Sequence, residues 1–192
     1  MEVAIVALRH LCKRRVRMNL SVALRRAVAE QAKKYAYAES IPHCFSYGDD
    51  PTLCFFPYEG DSRHGNFLER SYKAIIAKPE WGKRLAKVHT SGRRSLPVTE
   101  RGRWMELDTC MSSDALLMNI FCHPGALRNG RLMALLDAEL GATPIFGYRA
   151  RVPLANGRFD RTEVDMRLGN LLIEAKLSES DFQSTRCGFR KF

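Results

Sequence analysis

The chain has 192 residues, of which 45% are hydrophobic and 27% charged, with a net charge of +10. That length suits one domain of ordinary size, and the balance is that of a soluble globular protein. No apolar run is long enough to cross a bilayer. The apolar start Met1–Leu8 precedes its basic residues, the wrong order for a secretory signal, so the expected location is the cytoplasm.

The first 35 residues hold nine cations (Arg9, Lys13, Arg14, Arg15, Arg17, Arg25, Arg26, Lys33 and Lys34) against only Glu2 and Glu30. Such a balance favours a polyanionic partner, although a solvated basic face fits equally well. Residues 1–17 read as a basic tail, and Met18 is an alternative translation start. A helix follows from a Ser21 cap to about Ala38, with Leu24, Val28, Ala32 and Tyr35 on one face. Residues 39–65 are rich in turn formers, with an aromatic cluster Cys54-Phe55-Phe56-Pro57-Tyr58, and are expected to be loops around one short buried strand.

Two helices should come next. One carries Leu68, Tyr72, Ile75 and Ile76; the other opens at Pro79 and buries Trp81, Leu85 and Val88. Thr90–Arg101 is a polar, basic linker that divides a helical region, 18–99, from a second unit, 100–192. In that unit Ser112 or Ser113 caps a helix with Leu116, Leu117, Ile120 and Phe121, ending before Pro124. Another helix is expected over 129–140, with Gly141 as its C-cap.

After Gly141 the hydrophobic period changes from helical to alternating. Ile145–Pro153, Phe159–Arg167 and Leu171–Leu177 read as three strands, joined by turns at Asn156-Gly157 and Gly169-Asn170. The fold class is therefore α+β, helices followed by a three-stranded antiparallel meander. Six cysteines lack any C-x-x-C pair, so reduced thiols are the preferred reading over zinc at His43-Cys44 or Cys122-His123.

The chemistry concentrates in the last two strands. Side chains alternate along a strand, so Glu163, Asp165 and Arg167 share one face, as do Glu174 and Lys176. The turn at Gly169-Asn170 sets Asp165 opposite Glu174. Charges within the apolar run Leu171–Leu177 are costly unless they are paired or bind a metal. A cross-strand salt bridge explains the pattern on its own. Convergent carboxylates beside a lysine equally suit a hard divalent cation and an activated water.

A helix, then antiparallel strands with Asp165 on the second and Glu174-Ala175-Lys176 on the third, resembles the core of the PD-(D/E)xK, restriction-endonuclease-like nucleases. Ser112–Phe121 together with the meander is similar to a bacterial family of restriction endonucleases, and the resemblance covers about 100–183. It implies Mg²⁺ or Mn²⁺ held by Asp165 and Glu174, with Lys176 as the catalytic lysine. An additional metal ligand would come from Asp114 or Glu106, which helix capping explains as well. Gln183, just after the third strand, lies close enough in sequence to reach the site, although a surface role is the preferred reading. The implied substrate is DNA, gripped by Arg149, Arg151, Arg158, Arg161 and Arg167; the alternative is a relative that binds nucleic acid without cutting it.

Two departures stand out. Val164 takes the place of the signature proline, and only Ser178–Phe192 follows the third strand, too few residues for the usual last helix and strand. The expectation is that either a partner, such as a second copy in a homodimer, covers the open sheet face, or the chain is the truncated product of a longer gene.

Overall fold

The computed structural model describes residues 20–45, 52–58, 60, 62–88 and 105–177. The basic tail, Met18, the linker and the chain after Leu177, Gln183 included, lie outside these residues. Helices and antiparallel sheets make a mixed α+β fold, as the change in hydrophobic period implies.

Helix α1 (Leu20–Ala38) buries only Ala36, while Leu24, Tyr35 and Tyr37 stay substantially exposed. It rests through Ala32 and Ala36 on a hairpin of β1 (His43–Phe45) and β2 (Leu53–Phe55). The segment expected to hold one strand thus pairs two, His43 opposite Phe55 and Phe45 opposite Leu53. Helix α2 (Glu69–Ile76) follows, then α3 (Pro79–Gly82), which tightens into a 3-10 turn over Lys83–Ala86. Pro79 starts α3 because a proline's missing N–H costs nothing in a first turn.

Helix α4 (Ser113–Phe121) begins where expected, the Ser112 hydroxyl accepting the Ala115 N–H at 3.1 Å. Helix α5 (Gly130–Leu135) is shorter than its pattern implies. Its end comes at Asp137, whose φ of 49° places it in the left-handed region ahead of Gly141. Asp137 N–H donates to Ala134 O and Ala138 N–H to Met133 O, the pairing that closes a helix on a left-handed residue.

Strands β3 (Pro144–Arg149), β6 (Glu163–Leu168) and β7 (Leu171–Ile173) form an antiparallel sheet in that order. Between β3 and β6 the chain makes a separate two-stranded ribbon, β4 (Val152–Pro153) and β5 (Phe159–Asp160). The two long strands expected at 145–153 and 159–167 are therefore each divided, and every residue from 151 to 162 is exposed. With no apolar partner for either face, the ribbon cannot join the main sheet.

Alternation along β6 sends Met166 and Leu168 into a core with Leu117, Phe121 and Met133. A second cluster joins Phe67, Tyr72, Ile75 and Trp81 to Leu107, Ala115 and Met118, so residues from both sides of position 100 share one core. Phe146 touches both clusters. Trp81 Nε1–H donates to Pro144 O at 3.1 Å, locking α3 onto β3.

Polar bonds fix α4 against the segment before α2. The Asn119 amide donates to Asn66 O and its oxygen accepts the Leu68 N–H, while Asn66 donates to Leu107 O and Thr109 O. Buried His64 accepts from Asn66 N–H and bonds Asp108 at 3.1 Å. Because α4 owes its start to one hydroxyl, Ser112→Ala is expected to cost about 1 kcal/mol, read as a fall of several degrees in thermal midpoint.

Candidate active site

The site lies where the first turn of α4, the 3-10 turn after α3 and the odd-numbered positions of β6 meet. The register pairs Met166 with Ile173 and Arg167 with Leu172, so its next step sets Asp165 opposite Glu174. The ladder stops short of that step. Ala175 N–H donates at 2.7 Å to the Asp165 carboxylate instead of to a strand carbonyl. Strand β7 therefore ends at Ile173, not Leu177, and Glu174 and Lys176 sit just past it. There Lys176 Nζ donates to Glu174 Oε1 at 2.7 Å.

Burial pushes the Asp165 carboxyl up to about 6 from its ordinary 3.8; repulsion from Asp114 and Glu174 adds to this, against the Ala175 N–H and Lys176. Ionising such a group costs folding free energy. Its contribution to stability is whole below pH 3.8 and is lost as pH rises through about 6.

A second set of charges adjoins this one and was not foreseen from sequence. Arg84, on the 3-10 turn, donates through Nη2 to Asp114 Oδ2 and through Nη1 to Glu163 Oε1 at 2.8 Å. Lys87 reaches Glu106 at 2.8 Å and Glu163 at 3.1 Å, and Arg149 Nε lies 3.3 Å from Glu163 Oε2. Burial acts to raise the Glu163 carboxyl, but the hydrogen bonds from Arg84 and Lys87 outweigh it and hold the group at about 2.

Gly147, opposite Asp165 and at φ +63°, makes room for this arginine: a Cβ there would run into the guanidinium. Only helical periodicity around Arg84 and an isolated glycine in a strand pattern hinted at the arrangement. Neither signal says which partner approaches.

Of the expected residues, Asp114, Glu174 and Lys176 are each within electrostatic reach of Asp165, while Glu106 is engaged by Lys87. Among the described residues no group of three or more His, Cys, Asp or Glu side chains is gathered tightly enough to hold a metal ion alone. The described cysteines are free thiols, and burial pushes Cys54 and Cys122 up to about 12.

The arginines divide. Arg149, Arg151, Arg158 and Arg161 are exposed on or beside the ribbon, with Arg151 stacked 4.0 Å over the Phe159 ring. Arg167 is tied down by Gly169 O and lies over Tyr148.

A family model described as restriction endonuclease associating with ARP matches residues 24–189. The chain belongs to this family. No curated protein and no solved structure matches it. The family match begins well before residue 100, where the resemblance legible in the motifs began, and takes in Arg84, Lys87 and Gly147 along with the meander. No helix among the described residues is long and apolar enough to cross a membrane.

Two outcomes follow from the geometry. In EDTA at pH 8, Asp165→Asn is expected to stabilise the fold by about 1–2 kcal/mol, a pKa displacement discounted for partial solvent screening. The gain should vanish below about pH 4, where both side chains are neutral; equal denaturant midpoints at pH 8 would contradict the raised carboxyl. Gly147→Ala should cost about 1–3 kcal/mol by the same measurement, since it strains the backbone and unseats Arg84.

Proposed function

We propose that the protein is a metal-dependent nuclease that hydrolyses phosphodiester bonds in DNA. The observation that carries this reading is the juxtaposition of Asp165 and Glu174 on neighbouring chain segments, with Lys176 beside them, in a restriction-endonuclease family.

The donor set fits Mg²⁺ or Mn²⁺. Both are hard cations that take carboxylate oxygens, and Mg²⁺ commonly uses only one or two of these and fills its octahedron with water and phosphate. A cage of three protein ligands is therefore not required. Asp165, whose ionised form is disfavoured by burial and by two neighbouring carboxylates, gains most from a nearby dication. When bound, the ion supplies a water of lowered pKa and a counter-charge for the scissile phosphate.

The chain's own residues do the rest. Asp165 and Glu174 bind and orient. Lys176 holds the attacking water or a phosphate oxygen through its ammonium, which stabilises charge as it develops. Arg151, Arg158 and Arg161 beside the ribbon, with Arg149 at the end of β3 where it also meets Glu163, would give a phosphate backbone salt-sensitive affinity with no sequence preference of its own. Arg167, bonded to Gly169 O, serves the turn more than the substrate.

A second reading, a relative that binds nucleic acid without cutting it, draws on the lack of a tight three-ligand cluster among the described residues. Cleavage of supercoiled plasmid, linear duplex and single-stranded DNA separates the two. With Mg²⁺ or Mn²⁺ the protein is expected to cut and with EDTA to be silent. Lys176→Ala should lose about 100-fold or more of the rate, with DNA retention by gel shift unchanged. Cutting undiminished in that variant removes Lys176 from the chemistry; a folded protein that never cuts leaves the binding reading.

A further inference from the structure

The site holds more carboxylates than a single divalent ion needs, and the structure distributes them unevenly. Asp114 is only 7% exposed and Glu163 25% exposed. Buried carboxylates demand a positive partner. Here one guanidinium bridges them, each of its two terminal nitrogens serving one acid. Lys87 adds a bond to Glu163 and occupies Glu106. Asp165 stands apart: the bond made to it comes from the Ala175 backbone N–H.

From this division we infer that Arg84 is a resident counter-cation that keeps Asp114 and Glu163 out of the metal's coordination sphere. The site then takes its ion through Asp165 and Glu174 alone. The inference rests on the metal-nuclease reading and revises the ligand set that the motifs imply, since Asp114 and Glu106 become supporting rather than ligating groups.

Three observations carry it. Asp114 Oδ2 already accepts from Arg84 and has Lys87 Nζ 3.9 Å away. A dication sharing that oxygen would sit against two fixed positive charges. Secondly, the seat is built for an arginine: Gly147 leaves the space that the guanidinium fills, and a Cβ there would also lie 3.1 Å from Glu163 Oε1. Thirdly, Arg84 is 12% exposed and among the described residues its Nε lacks a hydrogen-bond partner, so the two carboxylates are what retain it. Arginine suits the role because its planar fork spans two acids and keeps its charge when buried.

Arg84 is thus a positioning residue, and its removal should make the two acids available to a metal. The test is Mn²⁺ binding, counted by the signal of free Mn²⁺, together with thermal midpoints in EDTA and in Mn²⁺. The unaltered protein should bind one equivalent. Asp165→Asn should abolish that binding, whereas Asp114→Asn, which keeps an oxygen for Arg84, should leave it measurable, weakened by about 10–100-fold at most, as expected of a supporting group. Arg84→Gln should melt lower in EDTA and be rescued by Mn²⁺ by a larger margin than the unaltered protein, with Asp114 and Glu163 now binding the ion.

Asp114→Asn falling to the level of Asp165→Asn overturns the inference, even if Arg84→Gln proves too unstable to purify. A folded Arg84→Gln with no added response to Mn²⁺ overturns it too. An unaltered protein that binds no Mn²⁺ overturns the metal-nuclease reading and, with it, this one.

Discussion

A single buried guanidinium holds the working end of this molecule together. Arg84 links the 3-10 turn after α3 to the first turn of α4 through Asp114 and to β6 through Glu163. Three segments far apart in sequence are fixed by one planar group, and Gly147 on β3 is the fourth contributor because it supplies space. Breaking such a pair is expensive, since removing one partner leaves an uncompensated buried charge.

The same economy governs the end of β7. A strand that continued its ladder through Glu174 would direct Ala175 N–H to a backbone acceptor. The Asp165 carboxylate takes that bond instead, so the third strand stops at Ile173 and the next residues are free of the pleat. Glu174 and Lys176 can then form their own ion pair at the rim of the sheet. A half-buried acid disfavoured by its surroundings is a stability cost, and costs of this kind are retained where ligand binding repays them. The restriction-endonuclease family to which the chain belongs gives that cost its context.

Around the site, the exposed ribbon of β4 and β5 leaves the sheet with Arg151, Arg158 and Arg161 flanking its two strands. It adds no core and contributes nothing to the three hydrophobic clusters. What it offers is charge and reach. Strand β6 and the first turn of α4 carry Glu163, Asp165 and Asp114, and the ribbon carries exposed positive charge, so the acids sit on elements anchored in the core while the arginines do not.

Much of this was written in local pattern. Period and turn chemistry locate α1, α4 and the meander, and the tight turn at Gly169-Asn170 sets the register that leads Asp165 toward Glu174; the expected strand alternation at Glu174 and Lys176 is not what places them, since β7 ends at Ile173. The ends of elements were less legible: Asp137 closes α5 ahead of Gly141, and the 145–153 and 159–167 patterns each divide where the ribbon leaves the sheet. Both outcomes depend on what the far side of the chain covers. Arg84, Lys87 and Glu163 were invisible as a unit because an ion bridge across some eighty residues leaves no periodicity behind. The sequence by itself determined which elements form and which short-range acids and lysine converge; only the tertiary structure decided which of those acids already have a cation, since that depends on long-range packing and on the space left by one glycine.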